Sequence, residues 1–280
     1  MPDDSVDKIE RMAIDQACRV GQVETDPNWM PSVLTRHRSI EAEPLPCNID
    51  ALLSDAAAAS PDTDAWHFIA TGETITYRAL RDEVTQRANG LRAIGVRHGT
   101  KVAVMLPNVP AFPLTWLALA RIGAVMVPVN VRYTGRELHY AVTDSGTTFL
   151  VLGTEHLPVL SSSGLELPTD DVVVVGAKPP DCTAWEELRL AQPDLPAAET
   201  PGLDGLMNIQ YTSGTTGLPK GCLLPQRYWL TCAKAYSACD GLRFRRILSA
   251  NPFFYMTPQW LLLMACFQRA TLFVAPHLRV

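Results

Sequence analysis

The chain has 280 residues, 47% of them hydrophobic and 19% charged, with a formal net charge of -5. This composition excludes a disordered chain, and a length of this order hides roughly three quarters of the unfolded surface in one large domain or two smaller ones. The densest basic cluster is Arg243, Arg245 and Arg246, too small for a nucleic-acid footprint and read as a solvated helix end or turn. Seven cysteines are scattered without a C-x-x-C pair, and no two of the six histidines stand four apart. A disulfide framework and a zinc site are both disfavoured, and reduced thiols in a cytoplasmic protein fit the pattern. The longest apolar stretch, residues 111–129, is interrupted by Pro113, Arg121 and Gly123, so it reads as a helix and a strand rather than a membrane span.

In chain order, residues 1–46 read as a preamble. Val6, Ile9, Ala13, Ala17 and Val20 form a weak amphipathic stripe, and Pro27, Pro31, Pro44 and Pro46 then punctuate a linker-like stretch. Ser5-Val-Asp-Lys8 matches a serine-hydrolase pattern whose partner motifs are missing, so it is set aside. From 47 to 280 the text alternates between strand and helix. Tyr77, Leu80, Val84, Ala88 and Leu91 recur at helical spacing, with Gly95 at the closing position. Residues 101–106 form an apolar run suited to a strand buried on both faces. A helix over 110–122 follows, with its prolines in the first turn, and then a strand over 124–129. Thr134 and Glu137 make a capping box for the next helix, which Ser145-Gly146 stops. Further strands are expected at 149–152, 172–175 and 206–211, with a proline-rich surface connection over 177–201 carrying one short helix near Trp185. The expected fold class is α/β, parallel β-sheets layered with helices.

The strand at 206–211 runs into Tyr211-Thr-Ser-Gly-Thr-Thr-Gly-Leu-Pro-Lys-Gly221. Glycines let successive N–H groups turn toward one point, an anion nest. The hydroxyls of Thr212, Ser213, Thr215 and Thr216 can donate to phosphate oxygens, and Lys220 brings a positive charge. This is not a Walker A loop, because Pro219 and Gly221 flank the lysine. Residues 212–221 are expected to form an exposed loop leading to a helix near Gln226.

That string resembles the phosphate-binding signature of the adenylate-forming superfamily, which includes acyl-CoA synthetases, firefly-type luciferases and peptide-synthetase adenylation domains. Thr76-Tyr-Arg-Ala-Leu80, Gly95-Val-Arg-His-Gly99, Val102-Ala-Val-Met-Leu-Pro-Asn108 and Gly123-Ala-Val-Met-Val-Pro-Val-Asn130 resemble family text in family order. The resemblance implies the front part of an AMP-binding domain and a two-step ligase. A carboxylic acid attacks the α-phosphate of ATP, giving an acyl-adenylate and pyrophosphate; a thiol, usually coenzyme A, then displaces AMP. It implies nucleotide binding by Thr212, Ser213, Gly214, Thr215, Thr216, Gly217 and Lys220, with Thr212 helping to hold Mg²⁺.

The family also carries a proline-aromatic turn at the floor of its acyl and ATP pockets, matched here by Asn251-Pro-Phe-Phe-Tyr-Met-Thr-Pro-Gln-Trp260. Tyr255 stands where a histidine is common, and Gln259 where some fatty-acyl enzymes have a gating tryptophan. This combination resembles ligases of small or polar acids, such as the crotonobetaine/carnitine type. A core-aromatic role for Tyr255 is the open alternative. Cys222 reads as a structural thiol, because the family takes its thiol from outside.

No Tyr-Gly-x-Thr-Glu motif and no Thr-Gly-Asp triplet occurs in the 280 residues, and no catalytic lysine of the mobile C-terminal domain is identified. Two readings follow: a piece of a ligase that works with a missing C-terminal half, or a catalytically incompetent remnant with weak phosphate affinity. Either way, these 280 residues alone are expected not to catalyse acid-dependent ATP–pyrophosphate exchange.

Overall fold

The computed structural model describes residues 29–189, 200–212 and 218–275. The chain divides into two units, Met1–Glu43 and Pro44–Val280. In the first, residues 1–28, including the amphipathic stripe, lie outside the described residues. Its described part is helix α1 (Trp29–Ala42), where the prolines suggest a linker. Pro31 sits in the first turn, the one place where a missing N–H breaks no helical bond.

The second unit holds two sheets. Its elements are α2 (Ile49–Ala59), β1 (Asp64–Phe68), β2 (Glu73–Thr76), α3 (Tyr77–Ala93), β3 (Lys101–Met105), α4 (Ala111–Ile122), β4 (Val125–Pro128), α5 (Gly135–Ser145), β5 (Phe149–Gly153), α6 (Leu157–Ser163), β6 (Val172–Val175) and β7 (Thr183–Ala184). They continue as β8 (Leu206–Thr212), β9 (Lys220–Pro225), α7 (Gln226–Ala238), β10 (Arg246–Ser249), α8 (Met256–Gln268) and β11 (Thr271–Val274). The larger sheet has the order β7-β6-β5-β3-β4-β8-β9, and the smaller β10-β11-β1-β2. All pairings are parallel except β8 with β9 and β1 with β2. The expectation of parallel sheets therefore holds for the sheet centres and needs an antiparallel hairpin added at one edge of each.

Strand β3 shows why the core forms on both faces. Val102 and Val104 join a core with α2, α3, α4, α7 and α8, whereas Ala103 and Met105 join a smaller one with Leu138 and Val142 of α5. An apolar run is the signature of a strand covered twice. The helix ends are set locally. Thr134 and Glu137 form the expected capping box at α5, and Gly95 takes a positive φ just past the α3 cap. The connection near Trp185 is not the surface segment anticipated. Trp185 and Leu188 are buried, in a 3₁₀ turn that packs on α3. Arg87 of α3 donates to the Trp185 carbonyl and stacks 4.4 Å from the indole centre. The arginine cluster leads into β10, where Arg246 lies 5.9 Å from the Phe273 ring centre, rather than ending a helix.

Candidate active site

Strand β8 leads into the glycine- and hydroxyl-rich string. Ile209 and Tyr211 face the α5 side, and Asn208 and Gln210 face the other, as strand alternation requires. Its partner is not a helix but β9, in a hairpin that pairs Thr212 with Lys220 and Tyr211 with Gly221. The expected loop is thus shorter than 212–221, because Thr212, Lys220 and Gly221 belong to strands. Helix α7 then starts at Gln226, as anticipated. Ser213, Gly214, Thr215, Thr216 and Gly217 lie outside the described residues. The hairpin brings the Thr212 hydroxyl residue and the Lys220 ammonium residue to cross-strand positions, both exposed. Gly221 has a packing reason: a Cβ there would come 2.8 Å from Ile209 Cγ2 and 3.4 Å from Tyr211 Cζ.

Two tyrosines fasten this hairpin to one face of α5. Tyr140 donates to the Pro219 carbonyl at 2.9 Å, and Tyr211 donates to Asp144 Oδ2 at 2.6 Å, with the two rings edge to face. Burial, reinforced by the bond to Asp144, raises the Tyr211 phenol well above its ordinary range, so it stays a donor. Tyr140 and Asp144 stand four apart on a helix, a spacing that puts them on one face. That spacing was the available signal for an anchor that the motif alone does not reveal.

A cleft of about 720 Å³ opens beside the hairpin, lined among others by Tyr133, Arg136, Tyr140, Tyr211, Pro219 and Tyr255. A smaller one of about 330 Å³ adjoins it, with Asn130 and Tyr255 lining both. Tyr255 is the N-cap residue of α8 and is 50% exposed. Its solvent-facing position argues against the core-aromatic alternative. Gln259 is placed differently from a pocket residue: it is 0% exposed and lines neither cleft. Its Nε2 instead donates to the carbonyls of Phe253 at 2.8 Å and Tyr255 at 3.3 Å. Asn108 braces the same turn from the β3–α4 connection, accepting from Phe253 N at 2.8 Å and donating to the Asn251 carbonyl at 3.1 Å. Cys222 is exposed on β9.

A largely parallel sheet covered by helices, with a Thr/Lys hairpin beside a cleft, is the α/β fold shared with the N-terminal domains of adenylate-forming enzymes. The chain belongs to the AMP-binding enzyme family, whose sequence pattern matches residues 53–279. It is 31% identical over 239 residues to the long-chain-fatty-acid–CoA ligase FadD13 of Mycobacterium tuberculosis, covering 82% of this chain and 45% of that protein. It is 31% identical over 208 residues to the crotonobetaine/carnitine–CoA ligase of Salmonella paratyphi A, covering 71% of this chain and 40% of that one. Among solved structures, the inhibitor-bound N-terminal domain of FACL13 from Mycobacterium tuberculosis superposes with a TM-score of 0.73 at 30% identity, over 82% of this chain and 57% of that one. The chain thus spans less than half the length of the curated relatives it matches. Among the described residues, no helix is long and apolar enough to cross a membrane.

Proposed function

We propose that this chain supplies the phosphate-gripping wall of an ATP-dependent carboxylate–CoA ligase, and that the rest of the site comes from residues outside these 280. The observation that carries the reading is the β8–β9 hairpin, which sets Thr212 across from Lys220 beside the cleft and is clamped to α5. A lysine and backbone N–H groups held in place before the reaction stabilise charge on a departing pyrophosphate without further rearrangement. Tyr255, on the turn between the two clefts, is the side chain of this chain best placed to face the carboxylic acid.

Mg²⁺ is the ion this reading calls for. Among the described residues no group of three His, Cys, Asp or Glu could hold a metal on its own, and Mg²⁺ on phosphates needs only one or two protein oxygens beside water. Thr212 is the hydroxyl that would supply one. When bound, the ion neutralises charge on the phosphates. The other role, a remnant with weak phosphate affinity, is favoured for the 280 residues alone by the absence of the Tyr-Gly-x-Thr-Glu and Thr-Gly-Asp motifs; the clamp of Tyr211 and Pro219 to α5 favours the ligase reading.

The test is acid-dependent ATP–pyrophosphate exchange by this chain joined to a back half that carries the Tyr-Gly-x-Thr-Glu motif. Exchange that disappears when either half is omitted is expected. Exchange by the back half alone at the same rate would contradict the reading.

A further inference from the structure

Strand β8 has two unlike faces. A strand inside a covered sheet normally carries apolar residues on both, yet Asn208 and Gln210, alternate residues on one face, are buried amides with 0% and 6% exposure. Buried amides are costly unless hydrogen-bonded. Here they form a chain with a fixed direction. The indole Nε1 of Trp116 can only donate, and it donates to Asn208 Oδ1 at 2.9 Å. Asn208 Nδ2 must then point away, and it donates to Gln259 Oε1 at 3.0 Å. Gln259 Nε2 is left to face the carbonyls of Phe253 and Tyr255. The carbonyl between them, that of Phe254, takes its bond from Gln210 Nε2 at 2.9 Å. Three successive carbonyls of the turn before α8 are therefore held by amide donors that lead back to β8.

Gln210 Oε1 is buried without a protein partner among the described residues, a cost set against the bond its Nε2 gives to the Phe254 carbonyl. What the amides add is geometry. The strand that ends in Thr212 and the turn that ends in Tyr255 cannot shift relative to each other without breaking the chain. We infer that Asn208, Gln210 and Gln259 are positioning residues that lock the acid-facing turn at 253–255 to the phosphate-binding hairpin, so that occupancy of one orders the other. The inference rests on the phosphate reading of the hairpin.

The experiment is hydrogen–deuterium exchange on the 280-residue chain with and without magnesium pyrophosphate, a probe too small to carry an acyl group. In the wild type, exchange should slow by about fivefold or more at residues 253–256 as well as at 212–221, a coupling of ordinary size. Asn208→Asp and Gln259→Glu, which keep shape but reverse or remove a donor, should keep protection at 212–221 and lose it at 253–256. Gln210→Met removes the unpaired acceptor together with the donor to the Phe254 carbonyl, so its fold is checked first by circular dichroism; it brings in no charge, should show the same separation, and decides the matter if the acidic variants do not fold. Protection confined to 212–221 in the wild type, or joint protection surviving in Gln210→Met, would overturn the coupling while leaving the phosphate site intact. No protection at 212–221 in the wild type would overturn both.

Discussion

The two ends of the seven-stranded sheet use polar side chains for different purposes. At the β7 end, Arg87, Glu83 and Arg189 form a charged cluster over Trp185, with Arg87 Nε 3.6 Å from Glu83 Oε2. At the β8 end, neutral amides connect Trp116 to the turn before α8. An ion pair or a cation over a ring tolerates sliding and rotation, so it closes a sheet edge without fixing a direction. A chain of amides has a polarity that one isosteric change interrupts. Charge closes the fold at one end, and hydrogen-bond direction aims a site at the other.

Breaking the closed end should have the largest effect. Gly90 of α3 lies against the Leu188 backbone, and a side chain there would collide with the Leu188 carbonyl, which cannot rotate away. Gly90→Val should destabilise by about 3 kcal/mol or more, read by chemical denaturation, with expression as inclusion bodies as the extreme outcome. At the aimed end, Lys220→Ala in a complete ligase should slow pyrophosphate exchange by roughly tenfold to a thousandfold, and Thr212→Ala toward the lower limit. Neither should move the melting temperature, because both residues are exposed.

Trp116→Phe should cost about 1–3 kcal/mol, since it leaves Asn208 Oδ1 buried without its donor. The shift in the denaturant midpoint of Trp116→Phe measures that penalty. The smallest effect concerns pH. Hydrogen bonds from the Thr134 backbone and hydroxyl hold the Glu137 carboxyl below its ordinary range. Its stabilisation is complete above the ordinary value of about 4.3 and is lost as pH falls through the lowered folded value. Glu137→Gln keeps the capping geometry but not the titration, so its melting temperature should fall less steeply between neutral pH and pH 3.

Much of this was legible in the sequence where one local rule sufficed. The apolar run of β3, the capping box of α5 and the glycine after α3 each appear as expected, because burial on two faces, a cap and a positive φ leave local marks. Strand β9 did not, since Gly221-Cys-Leu-Leu224 has no alternation and becomes a strand only by pairing with β8. Helix α1 was hidden by its proline, and α8 by Pro258 in its first turn. The glycine- and hydroxyl-rich string before Lys220 stands out in the sequence, whereas the contacts of Asn208, Gln210 and Gln259 depend on partners up to 92 residues away. No periodicity announces such partners.

The account depends most on the hairpin being the phosphate site, and calorimetric titration of magnesium pyrophosphate into the 280-residue chain tests that directly. The wild type should bind, and Lys220→Ala should bind about tenfold more weakly or worse at unchanged fold, as loss of a charge-assisted contact requires. Equal affinity in the two proteins would contradict the account.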